Sequence, residues 1–188
     1  ALGGARPARR RGPRPAVARW DGTRWQAVST FNEGASVAEL IEYQGRLIAI
    51  GTMRDNAPPV GTPAAPYNGV AAWDGKTWEP IQNGLPRVGT YYDATEVAGE
   101  LWIVASIFSI NGSPTVGGVR LRAAEWHPLA QPSDGPNAQT TVALAHQGVV
   151  FVGGRFNFVA DRPANYAATW NGRGWTPLPG LDDNNSVW

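Results

Sequence analysis

Trp20-Asp21-Gly22-Thr23-Arg24-Trp25 returns as Trp73-Asp74-Gly75-Lys76-Thr77-Trp78 and again as Trp170-Asn171-Gly172-Arg173-Gly174-Trp175. An altered copy lies around Trp126. The second Trp of each copy falls at 25, 78, 126 and 175, in steps of 53, 48 and 49 residues. A fixed period of this size marks stacked supersecondary units.

Other residues keep the same period. Gly turns recur at Gln44-Gly45, Ala98-Gly99 and Gln147-Gly148. Apolar segments flank each one, at 37–43 and 47–50, 94–97 and 101–107, and 142–145 and 149–152. Short apolar runs around a Gly turn read as β-hairpins. The Trp copies form a second hairpin in each unit. Asp21-Gly22, Asp74-Gly75 and Asn171-Gly172 supply the positive φ of its turn. Each unit therefore holds four antiparallel strands, with a tight first turn, a long variable connection and a tight last turn. The expected fold is all-β, with sheets over 36–82, 90–130 and 139–179. About fifty residues of strand is the size of a β-propeller blade. The chain reads as one propeller segment of about three and a half blades, with a self-closed four-blade ring, Ser186–Trp188 pairing beside Gly3-Gly4, as the alternative. The segment comprises a partial blade at 1–28, blades at 29–82, 83–130 and 131–179, and the start of another at 180–188. Trp20, Trp25, Trp73, Trp78, Trp126, Trp170 and Trp175 read as the repeated core. On the fourth strand Trp25, Trp78, Trp126 and Trp175 are expected to be buried.

The net charge of +1 hides an asymmetry. Arg6, Arg9, Arg10, Arg11, Arg14 and Arg19 crowd the first 19 residues, which carry no acid. Setting those six aside leaves ten of the 16 basic residues against 15 acids, about −5 for the remainder. Gly3-Gly4 precede Trp20 by the same 17 and 16 residues by which Gly153-Gly154 precede Trp170. The arginines thus read as a solvated connection inside the partial blade, and the acidic remainder argues against nucleic acid. The absence of Cys excludes disulfides, thiolate metal sites and a Cys nucleophile. No apolar run is long enough for a transmembrane helix. Residue 1 is not Met and no signal peptide is visible, which reads as a processed chain or a piece of a longer one.

The unit Val149–Phe156 followed by Asn165–Leu178 has an apolar strand ending in Gly-Gly-x-Phe, an Asn-led approach, Trp-Asn-Gly-x-x-Trp and a Leu. It resembles the kelch-like repeat of bacterial secreted and surface proteins, of the kind in galactose-oxidase-like central domains. The likeness spans nearly the whole chain. The Gly-Gly pair is kept at 3–4 and 153–154 and is replaced by Gly51-Thr52 and Ala105-Ser106 elsewhere. The resemblance implies a β-propeller and no single activity, since propellers host lectins, enzymes and interaction modules. Gly75-Lys76-Thr77-Trp78 is also similar to the end of the Asp-box of sialidase-like propellers, with Trp73 where the Asp would stand.

Individual side chains offer little catalytic chemistry. His127 and His146 occupy different repeat positions and read as structural. Asp182-Asp183-Asn184-Asn185 gathers oxygen ligands without the spacing of a calcium loop. No nucleophile–base order, phosphate loop or cofactor fingerprint is visible. The expectation is a non-catalytic binding or scaffold module, secreted or on a bacterial surface, without catalytic, metal or cofactor residues. A carbohydrate-binding propeller and a sialidase-like hydrolase are the alternatives. The expected partners are further blades, from the same longer chain, identical copies or another protein, with a glycan as the second class of ligand.

Overall fold

A computed structural model describes residues 16–28, 31, 35–53, 68–82, 84–85 and 89–178. It is all-β, with no helix among the described residues. The first hairpin pairs β1 (Ala18–Trp20) with β2 (Trp25–Ala27). Sheet I runs β3 (Ser36–Tyr43), β4 (Arg46–Thr52), β5 (Val70–Trp73) and β6 (Trp78–Pro80). Sheet II runs β7 (Thr90–Val97), β8 (Glu100–Ser106), β11 (Val116–Arg122) and β12 (Glu125–Ala130). A small hairpin of β9 (Ser109–Ile110) and β10 (Ser113–Pro114) sits in its middle connection. Sheet III repeats that plan with β13 (Thr140–His146), β14 (Val149–Gly154), β17 (Ala167–Trp170) and β18 (Trp175–Pro177), around β15 (Phe158–Val159) and β16 (Arg162–Pro163). All neighbours in the three sheets are antiparallel.

The expected sheets at 36–82, 90–130 and 139–179 match these three meanders. The long middle connection of sheet III, residues 155–166, is not a plain loop but holds the β15–β16 hairpin. The Arg-rich stretch through Arg14, Gly3-Gly4, most of the 54–68 connection, Asp182–Asn185 and Ser186–Trp188 lie outside the described residues.

Each first strand carries a bulge at one place, between Val37 and Glu39, Tyr91 and Asp93, and Thr140 and Val142. A bulge kinks its strand toward the partner. The matching partner positions are Gly51, Ala105 and Gly154, so Gly51 answers to the second Gly of the pair and not to the first; Gly51 and Gly154 have no room for a side chain. A Cβ would fall against the carbonyl oxygens of Ser36 and Gln139. This close approach is the physical content of the Gly in the Gly-Gly signature. The Phe of that signature, Phe156, is fully buried, and Met53 and Ile107 fill the same place in sheets I and II.

The three cores join only consecutive units. Val17, Phe31, Ala49, Met53, Ala71 and Trp78 form a core between the first hairpin and sheet I. Ile48, Ile50 and Tyr43 of sheet I pack on Leu101, Ile103, Val119 and Trp126 of sheet II. Trp102 and Val104 of sheet II pack on Val150, Val152, Ala168 and Trp175 of sheet III. None of these cores joins sheet III to the first hairpin, so no closed ring forms among the described residues.

The altered copy has a strained turn. Ala123 and Ala124 connect β11 to β12 with φ of 50° and 62°. A left-handed turn of this kind suits Asn-Gly. Left-handed backbone is costly for Ala. The double substitution Ala123→Asn with Ala124→Gly is therefore expected to raise stability by about 1 kcal/mol. Chemical denaturation checks it through a higher midpoint at unchanged slope.

Candidate functional site

The Asp-Gly and Asn-Gly hairpins are closed by their own side chains. Asp21 Oδ1 accepts from the backbone N–H groups of Thr23 (2.9 Å) and Arg24 (3.0 Å) and from the Thr23 hydroxyl. Asp74 Oδ1 accepts from Lys76 and Thr77 N–H, both at 2.6 Å. Asn171 Oδ1 accepts from Arg173 and Gly174 N–H. Gly22, Gly75 and Gly172 follow at positive φ. These side-chain oxygens are engaged in holding turns.

Hydrogen bonds from Thr23, first its hydroxyl and then its backbone, hold the Asp21 carboxyl at about 2, below the usual 3.8. Backbone N–H groups of Thr77 and Lys76 lower Asp74 likewise. A depressed folded-state value contributes stability above the ordinary carboxylate range and loses it as pH falls through the folded value. The β1–β2 turn is therefore expected to loosen as pH drops from about 4 through about 2, whereas the Asn171 turn holds. Carboxylate and amide shifts followed by NMR check this through an Asp21 midpoint near 2.

The Trp pairs share one geometry. Ring centroids lie 5.6 Å apart at 55° for Trp20–Trp25, 5.3 Å at 52° for Trp73–Trp78 and 5.4 Å at 54° for Trp170–Trp175. Register explains this, because each pair sits directly opposite across its hairpin. Trp126 stands alone because Leu121 faces it. Trp78, Trp126 and Trp175 are buried, and Trp73 and Trp170 are half-buried. Trp78 also donates its Nε1–H to the Val28 carbonyl at 2.6 Å and packs 5.3 Å from Phe31.

Trp25 and Trp20 differ from the expectation of a buried core. They are 69% and 51% exposed. The reason is positional. Each buried Trp of the fourth strand is covered by the preceding unit, and no described unit precedes β1–β2. The opposite end is also uncovered. Leu144 and Phe151 on sheet III are 63% and 37% exposed. Their counterparts on sheet II are Thr95 and Trp102, both buried against sheet III.

Two clefts recur at one place between consecutive sheets. One of about 440 Å³ lies between sheets I and II and is bordered by Tyr43, Arg46, Ile48, Gly99 and Leu121. The Tyr43 hydroxyl crosses it to donate to the Gly99 carbonyl at 3.0 Å. The other, about 230 Å³, lies between sheets II and III and is bordered by Glu100, Trp102, Arg120, Arg122 and Trp170. There the Arg120 guanidinium lies 5.9 Å from both the Trp102 and Trp170 ring centroids. Glu100 pairs with Arg120 at 3.5 Å and accepts the Trp102 Nε1–H at 3.2 Å.

This cluster is a seam between sheets. A planar cation held between two indoles contributes through both stacking and packing. Arg120→Ala is expected to cost about 1–3 kcal/mol. Arg120→Lys should recover only part of it, because an ammonium lacks the flat stacking face. Thermal unfolding of the two variants reads the difference.

Sequence reasoning missed Arg120, Trp102 and Glu100. The Trp-Asp-Gly signature is absent from the altered copy that holds Arg120. It missed Asp93 and Thr95 too, which accept hydrogen bonds from the backbone N–H of Ala143 and Ala145 across the sheet II–III interface, both at 3.0 Å. His127 and His146 lie on β12 and β13, and no cluster of metal-binding side chains occurs among the described residues. Glu39 is raised above its ordinary value, mainly by burial and then by the Asp93 charge. No helix among the described residues is long and apolar enough to cross a membrane. No protein-family model matches the chain, and no curated protein matches it.

Proposed function

We propose that the three sheets are blades of a β-propeller and that the chain is a non-catalytic part of it, serving as a binding or scaffold module. The observation that carries this is the spacing of the contacts between units. Hydrogen bonds that bridge consecutive units lie near one repeat in span: Trp78 to Val28, Ala143 to Asp93 and Ala145 to Thr95 span 50 residues, Gln139 to Tyr92 spans 47 and Tyr43 to Gly99 spans 56. Contacts offset by one repeat are what face-to-face stacking of identical units produces. First strands face first strands along the stack, as they do around a propeller axis. The clefts are bordered by side chains that serve the seam, which favours scaffold over enzyme. A place outside the bacterial cell, secreted or on its surface, belongs to the same proposal.

A carbohydrate-binding propeller is the second reading, favoured by the exposure of Trp20 and Trp25. The tilt of 55° weighs against it, since the two rings present no common plane to a sugar and repeat the tilt of the buried pairs. A glycan array separates the readings. Saturable binding lost on Trp25→Ala would establish the lectin. An array without signal, together with fractionation that finds the protein at the cell surface or in the medium, is the result expected of a scaffold.

A further inference from the structure

Resting on the blade reading, we propose that the β1–β2 hairpin of one copy docks on the uncovered face of sheet III of a second copy, head to tail. Trp20 and Trp25 would then lie over Phe151 as Trp170 and Trp175 lie over Trp102. The internal interface supplies the template. In it the centroids of Trp170 and Trp175 stand 6.2 Å and 6.1 Å from that of Trp102. Phe151 occupies the Trp102 place on sheet III, pairing with Leu144 and Thr169 as Trp102 pairs with Thr95 and Arg120. Trp20 and Trp25 already hold the ring geometry of the buried pairs while largely exposed.

The side chains of the receiving face fit an aromatic occupant. On sheet II the face toward sheet III carries Asp93, Thr95, Glu100 and Arg120. The matching places on sheet III hold Val142, Leu144, Val149 and Thr169, none of them charged. Asp93 and Thr95 accept backbone N–H groups from a neighbouring first strand. Val142 and Leu144 have no such acceptors, so an apolar pair is the better match than another strand edge. The docking hairpin presents Trp20, Trp25, Ala18 and Ala27 on one side. Two unlike faces that fit each other form a heterologous contact, which repeats as an open array or closes as a ring.

Sedimentation of the full chain tests this. The wild type should sediment as species heavier than its 20.1 kDa and grow with concentration. Trp25→Ala removes the head, and Leu144→Glu removes the receiving face. Each variant alone should sediment as a monomer. An equimolar mixture should give a dimer and stop there, because each variant retains one good face. A wild type that stays monomeric at every concentration overturns the docking, as does association that persists in either variant. A mixture that remains monomeric also overturns it. Phe151→Asp serves in place of Leu144→Glu should the latter unfold. Amide exchange separates this outcome from failure of the blade reading. Protected β4, β8 and β14 without association remove only the docking, whereas unprotected strands in those three sheets remove both.

Discussion

Replacing Trp78 with alanine is expected to destabilise the chain by about 3–5 kcal/mol, the range for removing a large buried aromatic side chain. The indole is 3% exposed and lies between sheet I and the β1–β2 hairpin. Its removal leaves a cavity lined by Phe31, Val17 and Met53 and frees the Val28 carbonyl. For a chain of this size the thermal midpoint should fall by roughly 6–20 °C. Trp25 holds the same repeat position, yet Trp25→Ala should change the stability of the monomer by less than about 0.5 kcal/mol, as exposed substitutions do. The contrast carries the information, because sequence treats the two residues alike. Equal midpoints for the two variants would contradict the burial of the fourth-strand Trp by the preceding unit.

Gly118→Ala is expected to cost about 2–5 kcal/mol, from backbone strain and overpacking together. Gly118 lies at φ +143°, a region that side-chain-bearing residues rarely enter. A Cβ there would fall against the Ile103 carbonyl oxygen and within 2.9 Å of Val104 Cα. Both contacts are backbone in the central pair of sheet II, so neither can swing aside. The bulge in β11 between Val116 and Val119 is what creates the approach. Gly45→Ala makes the control, since it has positive φ but open space around its Cβ position, and it should cost only about 1 kcal/mol. Denaturant midpoints of the two variants measure the difference.

Much of the fold was legible because the signals were local and repeated. Asp74-Gly75 between Trp73 and Trp78 fixes a turn, a register and a ring pair from six consecutive residues. The Gly turns after Tyr43, Val97 and His146 mark the first hairpin of each sheet in the same way. The β9–β10 hairpin carried a readable signal in Asn111-Gly112, whose φ values are 50° and 78°. The β15–β16 hairpin did not, because Ala160 and Asp161 adopt left-handed φ without a turn-forming pair. The candidate site was the least legible part. Arg120 acquires its stack from Trp102, 18 residues earlier, and Trp170, 50 residues later. Asp93 finds its partner at Ala143. No periodicity in a single strand encodes such contacts. Nor does sequence distinguish Trp25 from Trp78, since the difference lies wholly in whether another unit stands in front.

The most direct test is a crystal structure of the protein. Propeller packing requires sheets I, II and III to fan around one axis with β3, β7 and β13 innermost. It also requires each fourth-strand Trp to be seated on the second strand of the unit before it. A two-layer sandwich, with the sheets paired face to face and no common axis, would contradict that arrangement.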